Sequence, residues 1–196
     1  MKSKIELLLS EIKQKKEDLY IEYSKLKEKY GYVIEQGKVK FKEEIKKKNK
    51  FYKISIFESI FSARVREVLS APFIYAMIVP AIILDIFLFI FQQTAIRLYK
   101  IPLVKRSDYI IFDRKQLDYL NLIQKVNCLY CSYVNGLFSY AVEIAGRTEK
   151  YWCPIKNASK KKGGHDWEEY FADYGDPETF MKIMGSIEEF KKNKKI

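Results

Sequence analysis

An apolar residue recurs every seven positions at the start of the chain: Ile5, Ile12, Leu19, Leu26 and Val33. Four residues after the first four of these stand Leu9, Lys16, Tyr23 and Tyr30, so a seam with one Lys blemish runs along one helical face. Glu11, Lys13, Lys25 and Glu28 fill other faces. The pattern predicts a long helix over 3–30. An isolated helix of this kind gains little in water, so residues 3–33 are expected to form a coiled-coil arm with a second copy or a protein partner. Gly31 and Gly37 interrupt the repeat. KVKFKEEIKKKNKFYK over 38–53 then predicts a second, very basic helix.

Residues 54–70 are amphipathic. Ser55 and Glu58 have capping-box spacing. Ile56, Phe57, Ile60, Phe61, Val65, Val68 and Leu69 recur at helical spacing opposite Glu58, Ser62, Arg66 and Glu67. This predicts a helix lying in a membrane interface, ended before Pro72. From Ala71 to Phe91, 21 residues hold a single charge, Asp85. About 20 apolar residues cross a bilayer, and 10–14 are more typical of a soluble core helix. The stretch 71–98 is therefore read as membrane-embedded. Pro80 removes a backbone donor near its middle. Asp85 costs about 2.5–3.5 kcal/mol at a helix centre, which marks it as a functional candidate. Basic residues flank both sides: Lys53, Arg64 and Arg66 before, and Arg97, Lys100, Lys105 and Arg106 after. Both flanks would lie in the cytoplasm if the segment were a re-entrant hairpin bent at Pro80; the other reading is a single helix.

The remainder, 99–196, reads as a small helical domain. Asp113 and Gln116 are spaced to cap a helix over 113–126. A second helical pattern covers 133–150. A last helix follows Asp176-Pro177-Glu178 and ends in a Lys-rich tail. The fold class is mainly α, in four segments: a basic helical arm 1–53, an interfacial helix 54–70, an embedded segment 71–98 and a soluble domain 99–196.

Charge sharpens this division. The chain has 36 Lys and Arg against 25 Asp and Glu, a net charge of +11. Residues 1–53 hold 16 Lys, no Arg and 9 acids, while residues 54–98 balance three against three. Base-reading and bidentate phosphate contacts favour Arg, so a Lys-only excess argues against nucleic acid. It fits anionic lipid, worth about 1 kcal/mol per Lys near the surface, with Lys46, Lys47, Lys48 and Lys50 the closest cluster.

The candidate chemistry is in the last segment. Cys128-Leu-Tyr-Cys131 has the spacing of a metal knuckle or a dithiol, Cys153-Pro154 resembles its second half, and His165 is the only His. Three thiolates and one imidazole would hold a structural zinc, or iron in its place. That site requires a bend between Cys131 and Cys153, for which Gly136 and Gly146 are candidates. Asp113, Arg114, Glu143 and Arg147 are candidates for buried ion pairs, and Glu143 and Arg147 are also spaced for a surface pair. No G-x-S-x-G, H-E-x-x-H, P-loop or G-x-G-x-x-G is present, which favours a non-enzymatic role.

DRKQLDYLNLIQKVNCLYCSYVNGLFSYAVEIAGRTEKYWCPIK, with the upstream IYAMIVPAIILDIF and the later HDWEEYFADYGD, resembles an uncharacterised family of bacterial membrane-associated proteins. The resemblance covers about 72–180 and implies placement at the bacterial inner, cytoplasmic membrane. Where the family pattern has a His after CPIK this chain has Asn157. The expected function is a membrane-anchored interaction or scaffold protein facing the cytoplasm. The alternative is a redox or electron-transfer accessory protein using the Cys cluster.

Overall fold

The heptad repeat does form one long helix, α1 (Lys4–Lys29). Its seam residues Ile5, Ile12, Leu19, Tyr23 and Leu26 are all exposed. The structure is a computed structural model that describes residues 4–35, 38–159 and 162–193. Ser3, Gly37, Lys160, Lys161 and residues 194–196 of the Lys-rich tail lie outside the described residues.

The basic stretch 38–53 is not one helix. A β-hairpin comes first: β1 (Tyr32–Glu35) pairs antiparallel with β2 (Lys38–Phe41), Tyr32 opposite Phe41 and Glu35 opposite Lys38. Only Gln36 and Gly37 lie between the strands, and a two-residue connection ending in Gly is a strong hairpin signal. α2 (Glu43–Phe51) follows, with Glu43 and Glu44 in its first turn and Lys48 and Lys50 in its last, as the helix dipole favours.

The amphipathic stretch is also divided. α3 (Ile56–Phe61) ends at Ser62, and Ser55 precedes it without a side-chain capping bond. α4 (Val65–Ala76) starts afresh, its first turn closed by the Glu67 carboxylate accepting the Arg64 N–H at 3.1 Å. Pro72 lies inside α4 rather than ending it. Continuing past a proline leaves one carbonyl without its donor. Ending the helix would leave up to four N–H and four C=O groups to be paired elsewhere.

α5 (Ile78–Phe91) follows after a turn at Met77, which keeps right-handed helical angles. Pro80 thus sits in the first turn of α5, where a missing N–H costs least. Five residues of π-helix, Gln92–Ile96, continue it. Val65–Ile96 is one helical run of 32 residues, long and apolar enough to cross a membrane, and there is no reversal at Pro80. The hairpin alternative is corrected accordingly.

The two helices expected over 113–126 and 133–150 are one. α6 (Leu122–Trp152) is unbroken for 31 residues. It starts later than expected because Asn121, not Asp113, caps it. Asn121 Oδ1 accepts the Gln124 N–H and Gln124 Oε1 accepts the Asn121 N–H, both at 3.0 Å. Residues 114–116 form only a 3-10 turn, and the Gln116 side chain instead accepts the Val39 N–H at 2.6 Å. α7 (Pro177–Asn193) begins as expected, with Asp176 Oδ1 accepting the Thr179 N–H at 3.1 Å. The Thr179 side-chain hydrogen bond, together with this backbone bond, holds the Asp176 carboxyl below its usual range.

Contacts divide the described chain into two units, each built from two stretches: 4–85 with 107–137, and 86–106 with 138–193. These boundaries differ from the four consecutive segments read from sequence. In the first unit Ala81, Ile110 and Leu137 are buried, together with Asn121 at 1% exposure. The Asn121 amide donates to Ser59 Oγ at 2.5 Å and to the Ile54 carbonyl at 3.4 Å, so one side chain caps α6 and ties it to α3. Asn121→Ala is expected to lose about 2–4 kcal/mol of local stability, from the cap and the buried partners it abandons. Hydrogen exchange should quicken together in residues 54–62 and the first turn of α6; unchanged protection in both would refute the hub role. In the second unit Ile96, Val104, Tyr140, Ile144, Pro154, Phe171 and Ala172 form the core. The Ala172 N–H donates to the Pro154 carbonyl and the Lys156 N–H to the Ala172 carbonyl, both at 2.8 Å, in a short parallel bridge.

Candidate functional site

The apolar run has two kinds of surface. At 100° per residue, Val79, Ile82, Ile83, Ile86, Phe87, Phe89 and Ile90 cover about 160° of α5. They are 46–65% exposed. The other side carries buried Ala81 and half-buried Leu84, Asp85 and Leu88. Asp85 is on this packed side, where it accepts the Tyr133 hydroxyl at 3.0 Å. Within the same unit Tyr130 donates to the Ile74 carbonyl at 2.5 Å, and Tyr75 bonds to Asn127. The α6 tyrosines therefore meet the polar atoms of the apolar run, so the packed side has partners for its polar groups.

In the second unit Gln92 is fully enclosed. Its Oε1 accepts the Val104 N–H at 2.8 Å, and its Nε2 donates to the Val104 carbonyl at 3.3 Å and to the Tyr140 hydroxyl. This fixes the chain that leaves the apolar run. The helix continues two residues past Ile96 to Leu98, Tyr99 caps it, and the next residue, Lys100, is left-handed at φ 55°. The Ile101 N–H reaches the Ile96 carbonyl at 3.0 Å and the Lys100 N–H reaches the Arg97 carbonyl at 2.9 Å. These are the two bonds of a Schellman cap, with Lys where Gly is usual.

Cys128 and Cys131 are one turn apart on α6, Cys153 follows its end, and all three are free. No group of three His, Cys, Asp or Glu able to hold a metal occurs among the described residues. Gly136 and Gly146, the candidates for a bend, both lie within α6. These glycines are points of close approach. A Cβ on Gly136 would lie 2.6 Å from the Tyr109 carbonyl oxygen, and one on Gly146 2.4 Å from His165 Cγ. His165 is packed there, its side chain 4% exposed and Nε2 2.7 Å from Glu149 Oε2.

Asp113 and Arg114 are exposed and form no buried pair. Glu143 and Arg147 do pair on α6, at 2.7 Å, with 16% and 22% of their side chains exposed. The same Arg147 donates to the Pro102 carbonyl at 2.8 Å, and the Trp167 indole N–H donates to Glu143 at 3.2 Å. In the first unit Lys46 pairs with Glu43 at 2.7 Å, which holds Glu43 below the usual carboxylate range. Lys47, Lys48 and Lys50 are exposed.

Sequence reasoning did not anticipate a cavity of about 360 Å³ in the second unit. Tyr99, Tyr151 and Trp167 line it with Lys100, Arg147 and Lys150, and Ile101, Pro102, Ser186 and Ile187 complete the lining. The Lys150 ammonium stands 4.3 Å from the Trp167 ring centre and 4.7 Å from that of Tyr170. Burial lowers the pKa of Lys150, and no carboxylate pairs with it among the described residues. The sequence signal for this cavity was the run of Tyr and Lys just past the apolar segment, answered by the Lys150-Tyr151-Trp152 run.

No family model, curated protein or solved structure matches this chain. The family resemblance of 72–180 therefore rests on its motifs alone.

Proposed function

We propose that this protein is a membrane-anchored scaffold of the bacterial cytoplasmic membrane. Val65–Ile96 is its anchor, the lysines of α2 lie against anionic headgroups, and α1 associates with a second copy or a partner helix. One observation carries the anchor: only 6% of the most apolar 18-residue window is buried. A buried core helix would be mostly covered. Leaving seven large apolar side chains half-exposed in water costs about 1 kcal/mol each or more, which approaches the whole stability of a domain. Lipid removes that cost. The open heptad seam of α1 supports the arm in the same way.

The test uses the full chain in membranes. Resistance to alkaline carbonate is expected, and release into the supernatant would remove the anchor. Chemical cross-linking should give a dimer or larger species that Ile12→Asp with Leu19→Asp abolishes. An unchanged cross-linking ladder would remove the arm.

A further inference from the structure

The cavity of the second unit has a composition unlike a plain packing defect. A void between core side chains stays apolar and dry. This one is lined mainly by apolar surface, aromatic and aliphatic, yet three cationic side chains also line it. Arg147 is already held by Glu143 and the Pro102 carbonyl, so it is a fixed positive edge. Lys150 is different: it is half-buried, it lies across two aromatic faces, and no carboxylate pairs with it among the described residues. A desolvated ammonium of this kind favours an incoming anion. Lys100 adds a third charge at a strained position. A non-Gly residue in left-handed geometry costs about 1 kcal/mol, and such strain gathers at ligand sites.

Size and place narrow the ligand. The volume, about 360 Å³, is that of a small-molecule site and exceeds what a bare phosphate fills. Tyr99 and Lys100 begin three residues past Ile96, the end of the apolar run. Tyr, Trp and basic residues at that point match the belt that meets lipid headgroups.

We propose that this cavity binds the phosphate headgroup of an anionic phospholipid, with Lys150 and Lys100 on the phosphate and Tyr99, Tyr151 and Trp167 on the glycerol and upper acyl carbons. The lipid as source rests on the anchor reading above; the phosphate chemistry does not.

The experiment titrates the full chain, purified in neutral detergent, with dihexanoyl-phosphatidylglycerol. Trp167 fluorescence is the readout, with Trp152→Phe as background. A saturable change is expected. Lys150→Met should weaken it about tenfold or more, Lys150→Arg should retain most of it, and Lys13→Met, exposed on α1, should leave it unchanged. Dihexanoyl-phosphatidylcholine and inorganic phosphate should each bind at least about tenfold more weakly than the anionic lipid. An equal response to the zwitterionic lipid would overturn the anion site. Phosphate alone binding as tightly would overturn the lipid as source. Lys150→Met titrating like the parent, or Lys150→Arg failing while still folded by circular dichroism, would overturn the role of Lys150. Soluble short-chain lipid needs no bilayer, so failure here is distinct from failure of the carbonate test.

Discussion

Lysines placed at Val79 and Ile82 are expected to move the protein out of the membrane. Each position lies fourteen residues from one end of the Val65–Ile96 run, so together they straddle its middle. Val79 is 58% exposed and Ile82 46%, so neither holds the first unit together. At a helix centre an apolar residue contributes about −0.5 kcal/mol to insertion and Lys costs about +3. The two changes total roughly 7 kcal/mol, and even half of that after snorkelling is more than a hundredfold in partition. In a water-exposed helix the same lysines would only raise solubility. Ultracentrifugation and carbonate extraction decide: a double variant as carbonate-resistant as the parent would end the anchor reading.

Gly146→Ala is expected to destabilise the second unit, although alanine is the better helix former. The propensity gain is about 1 kcal/mol. Against it, the new Cβ would lie 2.4 Å from His165 Cγ, 2.6 Å from Cδ2 and 2.8 Å from Cβ. These atoms are the root of a ring that Glu149 holds at 2.7 Å, so they cannot swing aside as a chain end would. Overpacking costs about 1–3 kcal/mol, and displacing the His165–Glu149 bond about 1 more. The net loss is about 1–3 kcal/mol, a fall in melting temperature of about 3–9 °C for a chain of this size. Gly185, in α7, has nothing within 4 Å of its would-be Cβ. Gly185→Ala should therefore hold or raise the midpoint. A Gly146→Ala protein melting at or above the parent would be incompatible with the packing described.

What the sequence revealed depended on how local the cause was. α1 and α7 were legible, because a seven-residue period and an Asp-Pro-Glu start are local signals. The hairpin was not, because Gly37 also reads as a break in the helical repeat, and Tyr32–Glu35 and Lys38–Phe41 are strands of only four residues each. Asn121 was missed because its role is shared between a cap four positions long and Ser59, 62 residues away. C-x-x-C spacing is also one turn of helix, and Cys128 and Cys131 stand one turn apart on α6. Of the expected site, the Glu143–Arg147 pair was legible at helical spacing. The cavity beside it was not, since its walls come from four separate stretches.

The division of each unit between two stretches has a consequence for synthesis. Asp85 leaves the ribosome 48 residues before Tyr133, whose hydroxyl it accepts. At about 5–20 residues per second that interval is roughly 2–10 s. Through it the apolar run has emerged while the tyrosines of α6 have not, and a newborn Asp85 must lean on water or on the insertion machinery. The first unit closes only once Leu137 is made, so translation speed across 86–137 sets how long the half-built protein stays exposed.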